Sequence, residues 1–218
     1  MKTKTYILTV VLTILATGIF AQGQKISFAV QAGINFQNQT GVDLLGDEID
    51  NSLLTGFHAG ANVIIPVGTD IYFQPGLVFS QKGASSTLSL VTIDYKMNYI
   101  DIPLNLLYRG KLGEGYVMVG FGPYVAFALS GKVIAGSVTS DIEFKNTIEL
   151  TDPLTTTYMK SLDAGAGVFA GYETGFGIYI QLNTQIGLIN ISPEDTRVGE
   201  DNSSLKNVGF GVSVGYRF

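Results

Sequence analysis

The stretch that decides the fold is the C-terminal Asn207-Val-Gly-Phe-Gly-Val-Ser-Val-Gly-Tyr-Arg-Phe218. Taken alternately, Val208, Phe210, Val212, Val214, Tyr216 and Phe218 form one face. Asn207, Gly209, Gly211, Ser213, Gly215 and Arg217 form the other. Strict alternation is the mark of a strand, because successive side chains point to opposite faces. The apolar set is unbroken and ends in two aromatics, whereas the opposite set is small or polar. A strand of a soluble sheet is commonly about five or six residues long. One that crosses a bilayer needs about nine to eleven, apolar towards lipid and polar towards a lumen. This stretch has the second length. An aromatic at its end suits the interfacial girdle of such a strand.

The rest of the 218-residue chain agrees with that reading. Only 14% of it is charged, against a usual quarter, while 46% is hydrophobic. The net charge of −5 leaves no basic patch to neutralise phosphates, which argues against a nucleic-acid partner. The lack of Cys excludes thiolate metal sites, Cys nucleophiles and disulfides. At the N-terminus, Lys2 and Lys4 precede an apolar run, residues 6–20, and the small Ala21. That pattern predicts a cleaved signal peptide, residues 1–21, and a mature domain, residues 22–218, that begins at Gln22. No later stretch resembles a membrane helix, so membrane insertion must use strands.

Alternation recurs at residues 26–36, 54–66, 70–82, 99–108, 116–130, 161–173 and 178–188, which with the terminal stretch predicts eight strands. Turns at 67–69, 110–115 and 174–177 are short. The other connections are long: an acidic one over 37–53, one with a Ser-rich part over 83–90, one over 131–160 and one over 190–206. Pieces such as 132–138 alternate in turn, and extend the flanking strands beyond the membrane. Pro75 lies in mid-strand without a ladder donor, so a bulge or local distortion is expected there. The expected fold is all-β: an eight-stranded antiparallel up-and-down transmembrane β-barrel of outer-membrane type. Its long loops are extracellular, its short turns and both chain ends periplasmic. The alternative, a soluble lipocalin-like barrel, reverses the two faces. The Gly-rich second face would make a poor solvated surface, but suits a narrow lumen where side chains interdigitate.

Four motifs extend the argument: Tyr99-Ile-Asp-Ile-Pro-Leu-Asn-Leu-Leu-Tyr108, Gly120-Phe-Gly-Pro-Tyr-Val-Ala-Phe127, Asp163-Ala-Gly-Ala-Gly-Val-Phe-Ala-Gly-Tyr-Glu173, and Tyr179 followed by Gly187-Leu-Ile-Asn190. They resemble the PorT-like outer-membrane β-barrel domain family of Bacteroidetes, over most of the chain from about Gln24 to Phe218. The resemblance implies an outer-membrane barrel, and its founding member is associated with protein secretion. A role does not transfer on fold alone. Val214, Tyr216 and Phe218 also resemble the C-terminal sorting signal by which bacterial barrels engage their assembly machinery. The expected partners are outer-membrane lipid, that machinery, and envelope or secretion proteins.

His58, Asp101, Arg109, Asp163, Glu173 and Arg217 fall on the lumen face. The tube leaves them to pair or be hydrated, so they read as a structural polar network rather than an ion path. His58 is the only His and has inward parity. Some barrels of this size are lipid-modifying enzymes using His and Ser, but no Ser or carboxylate stands in a sequence-defined relation to His58. Ser213, on the same face, is expected to tolerate enlargement to Asn if the lumen has room. Twelve of the eighteen acidic residues lie in three loops: Asp43, Asp47, Glu48 and Asp50; Asp141, Glu143, Glu149 and Asp152; Glu194, Asp195, Glu200 and Asp201. Calcium bridging suits carboxylate oxygens, but no EF-hand spacing is present, and a solvated acidic surface is the simpler reading. No catalytic, cofactor or metal motif appears. The expected role is therefore non-enzymatic, structural or surface-interacting, with secretion accessory and lipid enzyme as alternatives.

Overall fold

In the computed structural model, which describes residues 25–88 and 91–218, the alternating stretches pair edge to edge into a closed ring. The signal-peptide expectation lies outside the described residues. The ring strands are β1 (Ser27–Val42), β2 (Leu54–Gly68), β3 (Ile71–Leu88), β4 (Val91–Leu112) and β5 (Gly115–Ala135), then β9 (Leu162–Glu173), β10 (Ile178–Gly187) and β12 (Ser204–Arg217). Four short pieces lie in the loops: β6 (Val138–Phe144), β7 (Thr147–Ile148), β8 (Thr157–Met159) and β11 (Glu194–Asp195). The order is β4-β3-β2-β1-β12-β10-β9-β5, and β4 pairing with β5 closes it. The first and last strands meet from Ala29 opposite Arg217 to Val42 opposite Ser204. Closure leaves no edge of unpaired backbone groups, which hydrocarbon would penalise.

The faces divide as the alternation requires. Val214 is 55% exposed, and its neighbour Ser213 is 0% exposed. Phe28, Ile34, Phe57, Leu77, Phe121 and Leu182 are likewise exposed on the outer wall. So continuous an apolar belt exceeds the patches that soluble monomers tolerate, and its place is in lipid. Tyr108, Tyr172 and Tyr216 point outward close to the short turns, as an aromatic girdle does. Those turns are tight: β2 and β3 are joined by Thr69 and by Asp70 at φ 58°. Gly113, at φ 62°, supplies the left-handed residue of the β4–β5 hairpin.

Two expectations are corrected. Residues 83–88 are not loop but strand: Ser85, Ser86 and Thr87 pair with Asp94, Ile93 and Thr92. Only residues 89–90 separate β3 from β4, so the second outer connection is short. Above the membrane the first loop packs on this hairpin: Gly83, Ala84 and Ser85 are buried in succession and Ser85 bridges to Ser52, so the apolar alternation that marks a strand disappears while the ladder continues. Pro75 brings the local distortion expected of it but no bulge: pairing with β2 is interrupted opposite Val63 and Ile64 without a register slip. A missing donor costs one ladder bond but inserts no residue. Register shifts lie instead between Pro66 and Gly68 and between Asn98 and Tyr99. The second shift flips the parity of β5. Ser130, expected inward, is exposed, and Gly131 is buried in its stead.

Inside, several large side chains rest over a glycine of the neighbouring strand. Phe169 lies opposite Gly120, Tyr179 opposite Gly215 and Gln37 opposite Gly209. A Cβ at any of these glycines would meet the facing ring or amide. The glycines are therefore the volume into which the lumen packs, consistent with a small barrel filled by its own side chains. Two apolar layers close the tube. Ala29, Ile64, Tyr72, Leu107, Met118, Phe169 and Tyr179 pack near the short turns. Met97, Tyr99, Tyr124 and Ala126 pack near the loops against Ile142, Met159 and Ile191.

Candidate functional site

Three polar groups sit at successive levels of the lumen. At the periplasmic mouth, Arg109 on β4 meets Glu173 on β9 through two bonds, Nη2–Oε1 at 2.6 Å and Nε–Oε2 at 3.1 Å. This is the fork geometry that guanidinium and carboxylate favour. Arg217 Nη1 stands 3.7 Å from Glu173 Oε2, and Arg217 Nε donates to Ser27 Oγ. Arg109 stacks on Tyr116 and Arg217 lies over Tyr72. The cluster ties β1, β4, β9 and β12 at the end where β1 starts and β12 stops.

At mid-height, His58 reaches from β2 across β1 to β12. It can do so because Gly33 lies beneath it; a Cβ there would meet both the ring and the Val212 carbonyl. His58 Nε2 is 2.7 Å from Ser213 Oγ, and Nδ1 is 3.2 Å from Asn35 Oδ1. Asn183 Nδ2 donates to Ser213 Oγ at 2.9 Å. Asn35 Nδ2 donates to Ser80 Oγ and the Gln81 carbonyl. One assignment satisfies the whole set: Nδ1 carries the proton, and Nε2 accepts from the serine.

Ser213, His58 and Asn35 have the relations of a nucleophile, a base and its orienter. The surroundings do not serve that chemistry. Ser213 is 0% exposed. The adjoining chamber, lined by His58, Asn35, Gln181 and Asn183, measures about 80 Å³. That is room for a few waters, far below the roughly 300 Å³ at which small-molecule sites begin. The enlargement of Ser213 to Asn expected from the sequence is therefore not accommodated. Its hydroxyl donates to His58 Nε2 and accepts from Asn183, and the side chain is fully buried.

Higher up, Lys82 Nζ is 3.2 Å from Asp101 Oδ2 and 3.2 Å from Asp163 Oδ2. All three are almost fully buried. Lys82 also lies 4.3 Å from the centre of the Tyr124 ring. Tyr124 and Asn207 donate to Asp163 Oδ2, and Gln185 donates to Asp101 Oδ2. One cation thus serves two carboxylates, whose Oδ1 atoms have no partner. The six lumen residues read from the sequence therefore form three separate groups, not one network.

Lys82 and Ser213 were missed as members of these groups. Lys82 shares the parity of Ser80, but taking residues 83–90 as loop placed it at a mouth rather than inside. Two inward carboxylates, Asp101 and Asp163, were the signal that a cation had to face them. No such signal existed for Ser213, whose distance from His58 is 155 positions along the chain.

In the loops, several acidic groups close their own backbone. Asp43 accepts from the Leu45 and Asp47 amides. Asp152 accepts from Lys145 and from the Glu149 amide. Asp195 is forked by Arg197, and Asp201 accepts from the Asp195 and Ser203 amides. Among the described residues, no group of three or more His, Asp or Glu could hold a metal ion.

A closed antiparallel ring of eight strands, apolar outside and polar inside, is now joined by a family match. The model of the outer membrane protein beta-barrel domain matches residues 20–193. The chain belongs to the outer membrane protein beta-barrel domain family. It is an outer-membrane β-barrel of the small type. The structure of OprG from Pseudomonas aeruginosa is similar in fold, with TM-score 0.50 and 10% identity, over 88% of this chain and 95% of that one. Neisserial surface protein A gives 0.47 and 15%, over 89% and 100%. Ail of Yersinia pestis, in complex with the heparin analogue sucrose octasulfate, gives 0.41 and 12%, over 89% and 100%. No curated protein matches the chain.

Proposed function

We propose that this outer-membrane barrel is non-enzymatic and acts through its acidic extracellular loops, in contacts at the surface or within the envelope. One observation carries the reading. The polar groups of the mid-lumen lie between two apolar layers, beside a chamber of only about 80 Å³, so the acidic groups most open to the surroundings are those of the loops. Residues 43–53, 136–161 and 188–203 contain twelve acidic residues against three basic ones, Lys145, Lys160 and Arg197.

The same proposal includes the finer points of the sequence reading. The chain is of the PorT-like kind found in Bacteroidetes, is exported by a signal peptide cleaved after Ala21, and functions as the single domain 22–218. Its C-terminal Val214, Tyr216 and Phe218, exposed on the outside of β12, address it to the barrel-assembly machinery and outer-membrane lipid. Nucleic acid is no partner. The test is co-purification from native membranes, comparing the full chain with variants whose loops 43–53 and 188–203 are shortened. Partners that depend on those loops are expected. Partners retained without the loops overturn the reading, and secretion-system components among them favour an accessory role in secretion, as the PorT-like resemblance implies. Altered lipid masses in a deletion strain would instead restore the enzyme alternative.

A further inference from the structure

Between the loops lies a cleft of about 270 Å³, open to the outside. Its walls come from three separate loop regions: Leu44 and Ile49 from the first, Ile148 from β7, and Pro193 from the last, with Leu205 at the start of β12. They are apolar. Tyr158 on β8 also lines it; the residue is only 6% exposed, and its hydroxyl has no hydrogen-bond partner. A buried unpartnered hydroxyl costs free energy that a ligand with an acceptor would recover. Asp43 and Asp195 line the same cleft. Asp47, Glu48, Glu194 and Glu200 stand exposed on the two loops that form its walls.

We infer that this cleft docks a basic peptide segment, one apolar side chain seated between Leu44, Ile49 and Ile148, its carbonyl accepting from the Tyr158 hydroxyl. Flanking Lys or Arg of the partner meets the acidic rim. The size admits a branched aliphatic side chain together with the peptide backbone beside it, and the charge selects its neighbours: the loops repel an acidic partner and attract a basic one. The inference rests on the surface-contact reading and names the chemistry of its partner.

The test uses the full barrel in nanodiscs of uncharged lipid and the probe acetyl-Lys-Lys-Leu-Lys-Lys-amide, followed by calorimetry. Two control peptides replace the central Leu with Ser, or every Lys with Glu. Saturable binding is expected for the first peptide only. Tyr158→Phe should weaken it about fivefold, the worth of one hydrogen bond, and Leu44→Ser about threefold or more. Both variants should keep the heat-modifiable mobility of a folded barrel. Binding indifferent to the central Leu or to Tyr158→Phe, or equal binding of the Glu peptide, overturns the inference, as does no binding. If loop-dependent co-purification persists in that case, only the cleft falls; if it too is lost, the surface reading falls with it.

Discussion

At the scale of single residues, the lumen runs on reach. Gly33 gives up its side chain so that His58 can cross β1 and hold Ser213 on β12. Ser213→Ala would leave His58 Nε2 and the Asn183 amide unpartnered. We expect a loss of about 1–3 kcal/mol in urea unfolding, the cost of orphaned buried groups. The wild-type serine should not react with a fluorophosphonate probe, because no substrate-sized space adjoins it. Rapid labelling of Ser213 would show that the wall opens. Lys82 is the more exposed to substitution in energetic terms. Lys82→Met strands Asp101 and Asp163 together, and removing one partner of a buried ion group costs about 3–5 kcal/mol. Replacing all three by apolar residues of similar volume should recover much of that, since the desolvation penalty goes with the charges. A triple variant no more stable than Lys82→Met would show that the cluster is not held by charge.

At the scale of elements, β12 is the test of which face meets lipid. Val212→Arg should cost about 2–4 kcal/mol and impair assembly, the usual penalty for a cation at mid-bilayer. Single-Cys variants separate the faces cleanly, as the chain has no native Cys. A lipid-soluble quencher should report labels at Val212 and Val214 but not at Ser213, and equal quenching at all three would defeat the assignment. The loops answer to pH instead. The Lys145 bond holds the Asp152 carboxyl below its ordinary value, and the Arg197 fork does the same for Asp195. A lowered folded pKa contributes stability that is present above the unfolded value of about 3.9 and is lost as pH falls through the folded value. NMR spectra in micelles should therefore keep the shifts of residues 145–152 and 194–197 at neutral pH. Below about pH 4 those shifts should move while the barrel strands stay fixed. Unchanged loop shifts at low pH would show that these ion pairs do not order the loops.

At the scale of the whole molecule, closure decides what crosses. Apolar layers towards both ends and a chamber of about 80 Å³ leave no conduit of porin width. Purified protein in planar bilayers should give no stable porin-sized conductance. Large reproducible single-channel steps would mean that one of the layers moves aside. Recovery of the protein from the outer-membrane fraction, heat-modifiable on gels, belongs to the same expectation.

The sequence by itself determined the number of ring strands, the outer and lumen faces except beyond the register shift in β5, and the inward place of His58, Asp101, Arg109, Asp163, Glu173 and Arg217. The physical reason is that a bilayer imposes period two wherever a strand meets hydrocarbon. Where the strands leave the membrane, loop residues cover them and that imprint is gone: Gly83, Ala84 and Ser85 are buried in succession. Residues 83–88 therefore looked like loop and Lys82 was not recognised as buried. Parity also says which face a side chain takes but not how far along the barrel it stands. Only the tertiary register set His58 against Ser213 and Lys82 between two aspartates, and brought Tyr158 into one cleft with Ile49 and Pro193. Each of these contacts joins positions far apart in the chain, and its distance is set by hydrogen-bond register around a closed ring.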